Sequence, residues 1–318
     1  MDLIYTNNEM IDQGVLDKYA FDLSFGEKEN DFEITVGEDN PLQTGAFIYI
    51  EGTEYGGIID GLKATTAGQS IAYTGRTWHG MLNSKVIEPD GDYLTVSGDA
   101  HEVLMQLLNR IGVSSLFGAS GEICDIQITS YKFPRYCKAY DGIREMLRKH
   151  GAKLKIERTD NAVVLSADRI IDYSEETVDG YSAVLSVEVY DKKVNHMICL
   201  GKGELSARTV IHIYVDQYGN YVDEKHYSGI DEVVDVYDNP NAESEDELRQ
   251  GGIDKLDELR GIDKAEISVS ESIDHQYDIG DIVGATERKT GITVTKAVAQ
   301  KIVRIKNGAI SVEYQARG

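Results

Sequence analysis

Short runs in which apolar and polar residues alternate, each bounded by Gly, Asn or Asp, recur along this chain and set its fold class. Asp31-Phe32-Glu33-Ile34-Thr35-Val36 is the clearest, Ala46-Phe47-Ile48-Tyr49-Ile50-Glu51 follows more loosely, and Tyr55–Gly61 and Ser70–Gly75 continue the pattern. Successive strand side chains point to opposite faces, so a period of two marks a half-buried strand. With 31 Gly against 4 Pro and 19 Tyr, many short strands joined by glycine turns are expected, a mainly β protein. At 318 residues the chain is too long for one small module and suits two domains, or one carrying a large insertion.

The period changes at Asp99-Ala100-His101-Glu102, where an aspartate and a glutamate three residues later open the apolar series Val103, Leu104, Leu107, Leu108 and Ile111, stopped by Gly112. This predicts an amphipathic helix with its own cap. A second is predicted from near Asp141, with Ile143, Met146, Leu147 and His150 on one side and Gly151 as stop. Lys153–Glu157 and Ala162–Ser166 flank a polar turn and read as a hairpin. Strand character returns at Ala183–Val189 and Arg208–Asp216, a capping box at Ser244-Glu245-Asp246-Glu247 opens a helix carrying Leu248, Leu256 and Leu259, and short strands follow to Tyr314. The expected architecture is mainly β with an α+β insertion. It comprises one tube-like β-barrel or sandwich over 1–98 completed by about 183–203, an α+β domain over 99–182, and a second tube-like β-domain over 204–318 with a helix near 244–260.

Charge limits the partners. Lys and Arg number 32, Asp and Glu 55, a formal net charge of −23, so a basic surface that binds nucleic acid through counterion release is not expected, nor is binding to anionic membranes. Cys124, Cys137 and Cys199 are odd in number and include no Cys-x-x-Cys pair, which predicts neither a disulfide framework nor a four-sulfur zinc site. The acidic, polar start Met1–Glu9 does not read as a signal peptide, and no apolar run approaches the ~18 residues of a membrane span.

Catalytic patterns fare poorly. Among 55 acidic residues any two carboxylates can be nominated as a glycosidase pair, so the nomination carries little information. His196-Met197-Ile198-Cys199 has the spacing of half a metal site without a second half, and its apolar middle suggests a buried strand. Gly201-Lys202-Gly203 resembles the start of a phosphate loop but leads into strand-like residues rather than a helix. Neither Gly-x-Ser-x-Gly nor His-Glu-x-x-His occurs. Asp238–Glu243 is acidic but lacks the glycine of a calcium loop and reads as a helix lead-in. No cofactor, metal or catalytic residue is expected. Gly201, Gly203, Gly219 and Gly280 are expected to hold turns needing positive φ or close backbone approach, and Trp78, the single tryptophan, to anchor a core or a subunit contact.

Three stretches resemble prophage tail proteins of the baseplate-hub family. They are Tyr55–Asp60 leading to Tyr73-Thr74-Gly75-Arg76-Thr77-Trp78-His79-Gly80 with Val86–Pro89; Cys199–Leu205 with Arg208 and the Tyr214–Asn220 turn; and Tyr277-Asp278-Ile279-Gly280-Asp281-Ile282-Val283. Within them Gly75, Trp78, Gly201, Gly203, Arg208, Gly219, Gly280 and Asp281 stand as structural turns and anchors. The resemblance implies a non-enzymatic virion protein, assembled in the bacterial cytoplasm into a phage tail or tail-like bacteriocin. It implies a homotrimeric ring joining a sixfold tail tube or distal tail protein to a threefold central spike, with the tape-measure protein and DNA passing through. Three copies would carry three times −23, or −69. If some of that charge lines the lumen, it repels DNA phosphates within about 8 Å at physiological salt. The alternatives are a carboxylate-dependent peptidoglycan- or carbohydrate-cleaving enzyme of a tail tip, which needs a cleft with a carboxyl of raised pKa, and a distal-tail adaptor.

Overall fold

The computed structural model describes residues 2–37, 42–63, 70–159, 162–174, 183–188, 193–217, 219–242, 244–260, 264–270, 276–286, 289, 291, 293–306 and 308–316. The chain is mainly β, with an α+β insertion and four α-helices among the described residues. It divides into two compact units, Met1–Leu185 with Glu266–Arg317, and Ser186–Ala265.

The first unit is built on an antiparallel sheet. The path of that sheet runs, neighbour to neighbour, Ala183–Glu188, Lys264–Ser270, Ala309–Ala316, Thr293–Lys306, Tyr19–Gly26, Asp31–Gly37, Ser70–Thr77, Gly56–Lys63, Phe47–Tyr49, Leu3–Thr6 and Asp12–Leu16. Among the described strands this path is open rather than a closed barrel. Thr293–Lys306 lies against Tyr19–Gly26 with Val303 opposite Leu23 and Ile305 opposite Phe21. All four face a core shared with Ile34, Ile59 and Tyr314. Through this pairing the strands after 293 lie in one sheet with the N-terminal strands, whereas Val210–Val215 belongs to another sheet. Alternation tells which face of a strand is buried but not which strand lies beside it.

The insertion forms as its caps dictate. After α1 (Trp78–Asn83), α2 (Ala100–Arg110) begins where the Asp99 carboxylate accepts the backbone N–H groups of His101 and Glu102, and the turn beyond it uses Gly112 at φ +71°. α3 (Ala139–Arg148) starts two residues before the expected position. Both helices and the hairpin Ala152–Thr159/Ala162–Arg169, with Ile156 opposite Leu165, enclose Val103, Leu104, Leu107, Ile143, Met146 and Leu147. Each such side chain contributes roughly 1.5–3 kcal/mol relative to exposure.

The second unit is a four-stranded sheet in the order Tyr221–Val222, Val210–Val215, His196–Leu200, Val234–Asp238. Helix α4 (Glu245–Arg260) packs on one face, where Met197, Cys199, Ile213 and Val215 meet Leu248 and Leu256. Ser244 Oγ accepts the Glu247 N–H at 3.1 Å, the serine half of the expected cap. Gly252 lets the helix sit flush, since a Cβ there would lie 2.2 Å from Cys199 Sγ and 2.9 Å from Ile213 Cδ1. Gly252→Ala is therefore expected to lower this unit's stability by about 1–3 kcal/mol, read from chemical denaturation. Unchanged unfolding would show that the helix does not need this approach.

Candidate functional site

The buried charges of the first unit converge on a cleft of about 450 Å³ whose lining includes Glu54, Tyr55, His79, Tyr140, Asp278 and Lys301. Glu54 lies in the turn after Phe47–Tyr49, closed by the Ile50 N–H donating to the Tyr55 carbonyl at 2.9 Å. Its Oε1 accepts from Lys301 Nζ at 2.6 Å, and the lysine side chain is only 7% exposed. The ammonium also sits 5.4–6.0 Å from the ring centres of Tyr314, Tyr55 and Phe25, where the negative ring faces attract it. His79, from α1, stacks on Phe25 with centroids 4.3 Å apart, meets the edge of Tyr140 and brings Nε2 to 3.5 Å from Glu54.

These contacts fix protonation. Burial alone would raise the Glu54 pKa, but Lys301 first and His79 second hold it down at about 2. Burial would lower that of Lys301, yet Glu54 and the phenols of Tyr55 and Tyr314 keep it above its ordinary value. Burial lowers that of His79 despite Glu54, which favours the neutral ring. A general acid needs a pKa raised toward the working pH, and Glu54 is shifted the other way. Asp31 and Asp141, whose pKa burial raises, do not line this cleft.

A second buried network joins the α+β hairpin to the segment before Ile282–Thr286. Lys153 Nζ lies 2.8 Å from both oxygens of Asp281 and 2.8 Å from Asp278 Oδ2. Asp281, 1% exposed, also accepts the backbone N–H groups of Ile171 and Asp278, each at 2.9 Å. Burial would lower the Lys153 pKa, and the hydrogen bonds to Asp278 and Asp281 raise it instead. Chemically, both networks clamp distant parts of one fold with charges already matched.

The residues singled out from sequence fall into separate places. Gly75 pairs with Phe32, and a Cβ there would come 1.9 Å from the Ile58 carbonyl oxygen, so close strand approach excludes a side chain. Trp78 is buried at the start of α1 and stacks on Phe47. Gly280 has φ +103° and immediately precedes the Asp281 clamp. In the second unit, Gly201, Gly203 and Arg208 share the loop joining His196–Leu200 to Val210–Val215. A Cβ on Gly201 would lie 2.7 Å from Leu248 Cδ2, and Gly203 has φ +106°. Arg208 donates to the Gly201 carbonyl at 3.0 Å and pairs with Asp238, while Gly219 has φ +88°.

Sequence reading missed Glu54, His79, Lys153 and Lys301. Lys301 had a signal, because it shares the inward face of Thr293–Lys306 with Val303 and Ile305, and a lysine there requires a buried partner. His196 and Cys199, three apart on a strand, sit on opposite faces. Cys199 packs under α4, whereas His196 bonds Glu232 through Nδ1 at 2.7 Å and His212 through Nε2 at 2.8 Å. Asp99, His101 and Cys124 bring potential ligand atoms within 4.8 Å of one another. Their lone pairs and protons are committed, however: His101 Nδ1 meets the Glu122 carbonyl, Nε2 accepts the Ala167 N–H, and Asp99 caps α2 and accepts the Cys124 N–H. No helix of the described residues is long and apolar enough to cross a membrane.

No family model matches the sequence, and no curated protein matches it. Solved structures do match its fold from end to end. The 43 kDa tail protein of prophage MuSo2 from Shewanella oneidensis aligns at TM-score 0.57 and 11% identity, over 99% of this chain and 98% of that one. The tail protein from Neisseria meningitidis MC58 aligns at 0.52 and 12%, over 100% and 96%. A chain of the phage P2 baseplate in its activated conformation aligns at 0.52 and 10%, over 100% and 99%. The resemblance carried by the glycine turns therefore holds at the level of fold.

Proposed function

We propose that this chain is a structural subunit of a phage tail or tail-like particle, serving as the hub of its baseplate. The observation that carries the reading is the end-to-end likeness, in which the whole chain and at least 96% of each tail or baseplate chain take part. A shared scaffold alone does not fix a function, so the chemistry of the cleft matters as a second support. Its carboxylate is held ionised by an ion pair, with a pKa shifted away from that of a general acid, which suits a clamp rather than a hydrolase. In this reading three copies close a ring between tail tube and spike, and tape-measure protein and DNA pass through it. Its partners are copies of itself, the tube or distal tail protein, and the spike.

The test is multi-angle light scattering of the purified chain together with negative-stain imaging. The expected result is an annulus of three copies with no peptidoglycan-degrading activity. A monomer that releases soluble fragments from peptidoglycan would instead establish the enzymatic alternative.

A further inference from the structure

The histidine that opens the His-x-x-Cys spacing meets its partner on the neighbouring strand rather than three residues on. His196–Leu200 pairs with Val210–Val215 so that Tyr214 stands opposite His196 and His212 opposite Ile198. His196 and His212 are therefore diagonal neighbours on the sheet face opposite α4. Their ring centres are 5.1 Å apart, and His196 Nε2 lies 2.8 Å from His212 Nδ1. Behind His196, Nδ1 is 2.7 Å from Glu232 Oε1, and Lys225 Nζ holds the other carboxylate oxygen of Glu232 at 2.6 Å. His196 is 6% exposed, and its ring lies 4.4 Å from that of Tyr214.

This chain of contacts fixes where the protons lie. A carboxylate only accepts, so Glu232 holds the proton of His196 on Nδ1. In the neutral ring Nε2 then carries a lone pair aimed at His212, which meets it with the proton on Nδ1. His212 is exposed, so that proton can pass through water to its own Nε2. Both rings then direct a lone pair to one point, and only a cation can sit between them. Asp99, His101 and Cys124 differ, because the donor to His101 Nε2 is a backbone N–H with no second tautomer. A carboxylate behind a histidine also orients the ring and raises its basicity toward a metal. Imidazole nitrogens suit zinc, copper and nickel rather than magnesium or calcium, and 23 surplus negative charges attract cations to the chain.

We propose that His196 Nε2 and His212 Nδ1 bind a divalent transition-metal ion of the zinc type, with Glu232 positioning His196 and water filling the remaining coordination positions. Zinc–nitrogen bonds of about 2.0–2.1 Å in a tetrahedral site set two ligand nitrogens roughly 3.3 Å apart. The exposed His212 ring therefore moves outward by about half an ångström to admit the ion. Both rings remain neutral, since the His212 proton stays on that ring at Nε2. The ion joins two adjacent strands of the second unit, and the site goes beyond the hub reading without resting on it.

The experiment titrates the full chain, without a histidine tag, with zinc chloride while its histidine ring nitrogens are followed by long-range proton–nitrogen NMR. Zinc is expected to shift His196 Nε2 and His212 Nδ1 together and to move the His212 proton to Nε2, whereas magnesium is expected to leave both nitrogens unchanged. In competition with a chromogenic zinc indicator, His212→Phe is expected to bind at least tenfold more weakly. Glu232→Gln, which keeps an acceptor for His196 but not the charge, is expected to lose about 10–100-fold. Thermal melting checks that each variant is folded, and zinc is expected to raise the melting temperature of the unmodified chain but not of His212→Phe. The proposal is overturned if zinc leaves the two ring nitrogens unshifted, or if a folded His212→Phe binds zinc as tightly as the unmodified chain, the ion then being held elsewhere. Should His212→Phe fail to fold, the ring-nitrogen shifts of the unmodified chain decide alone.

Discussion

Lys301→Met is expected to destabilise the first unit by about 3–5 kcal/mol, because it leaves the Glu54 carboxylate buried without its cation. The double variant Glu54→Gln/Lys301→Met is expected to recover most of that loss, since two neutral groups of similar shape remove the desolvation penalty along with the attraction. Urea denaturation of the four members of the cycle reads both effects, and a double variant no more stable than Lys301→Met would show that the charges are not coupled. The pair also has a pH signature. Glu54 is held at about 2 against a reference of 4.5, a shift equivalent to about 3 kcal/mol at 1.36 kcal/mol per unit. Since the folded pKa is the depressed one, this stability is present above about pH 4.5 and is lost as pH falls toward 2. Glu54→Gln is expected to flatten that acid limb. An equally steep loss in the variant would locate the acid sensitivity elsewhere.

Asp281→Ala has the second largest expected effect, again about 3–5 kcal/mol. It removes the acceptor of three groups at once, the Lys153 ammonium and the backbone N–H groups of Ile171 and Asp278. Asp278 remains against Lys153, but it is partly solvated and cannot reproduce both backbone bonds. Asp281→Asn, which keeps an acceptor of the same shape but not the charge, is expected to lose less. Hydrogen exchange at the Ile171 amide gives a local readout, with protection expected to fall in Asp281→Ala. Unchanged protection there would show that the clamp is not held by Asp281.

What could be read from the residues alone followed local physics. Asp99, Gly112 and Gly151 marked helix ends because caps act within a single turn, and the hairpin around 160 was visible because its partners are neighbours in sequence. The strand partners were not visible. Lys306 and Ala20 are paired across the sheet, yet nothing in either segment names the other, so the residues alone did not say which strands the final ones would join. The cleft was hidden for the same reason. Glu54 and Lys301 are 247 positions apart, and each alone is an ordinary charged residue among 87 (32 basic and 55 acidic). Asp281 was singled out as part of a turn, while its role as acceptor for Lys153 emerges only when the sheets are assembled.

The position of Thr293–Lys306 between Ala309–Ala316 and Tyr19–Gly26 also sets a schedule for biosynthesis. At translation rates of about 5–20 residues per second, roughly a quarter of a minute to a minute separates the emergence of Tyr19–Gly26 from that of its neighbour. During that interval the nascent sheet has an unfilled edge along Tyr19–Gly26, a side on which other strands can add. Closing it joins residues almost 300 positions apart, a slow, non-local step, so a ribosome that stalls before residue 306 leaves a product with that edge open.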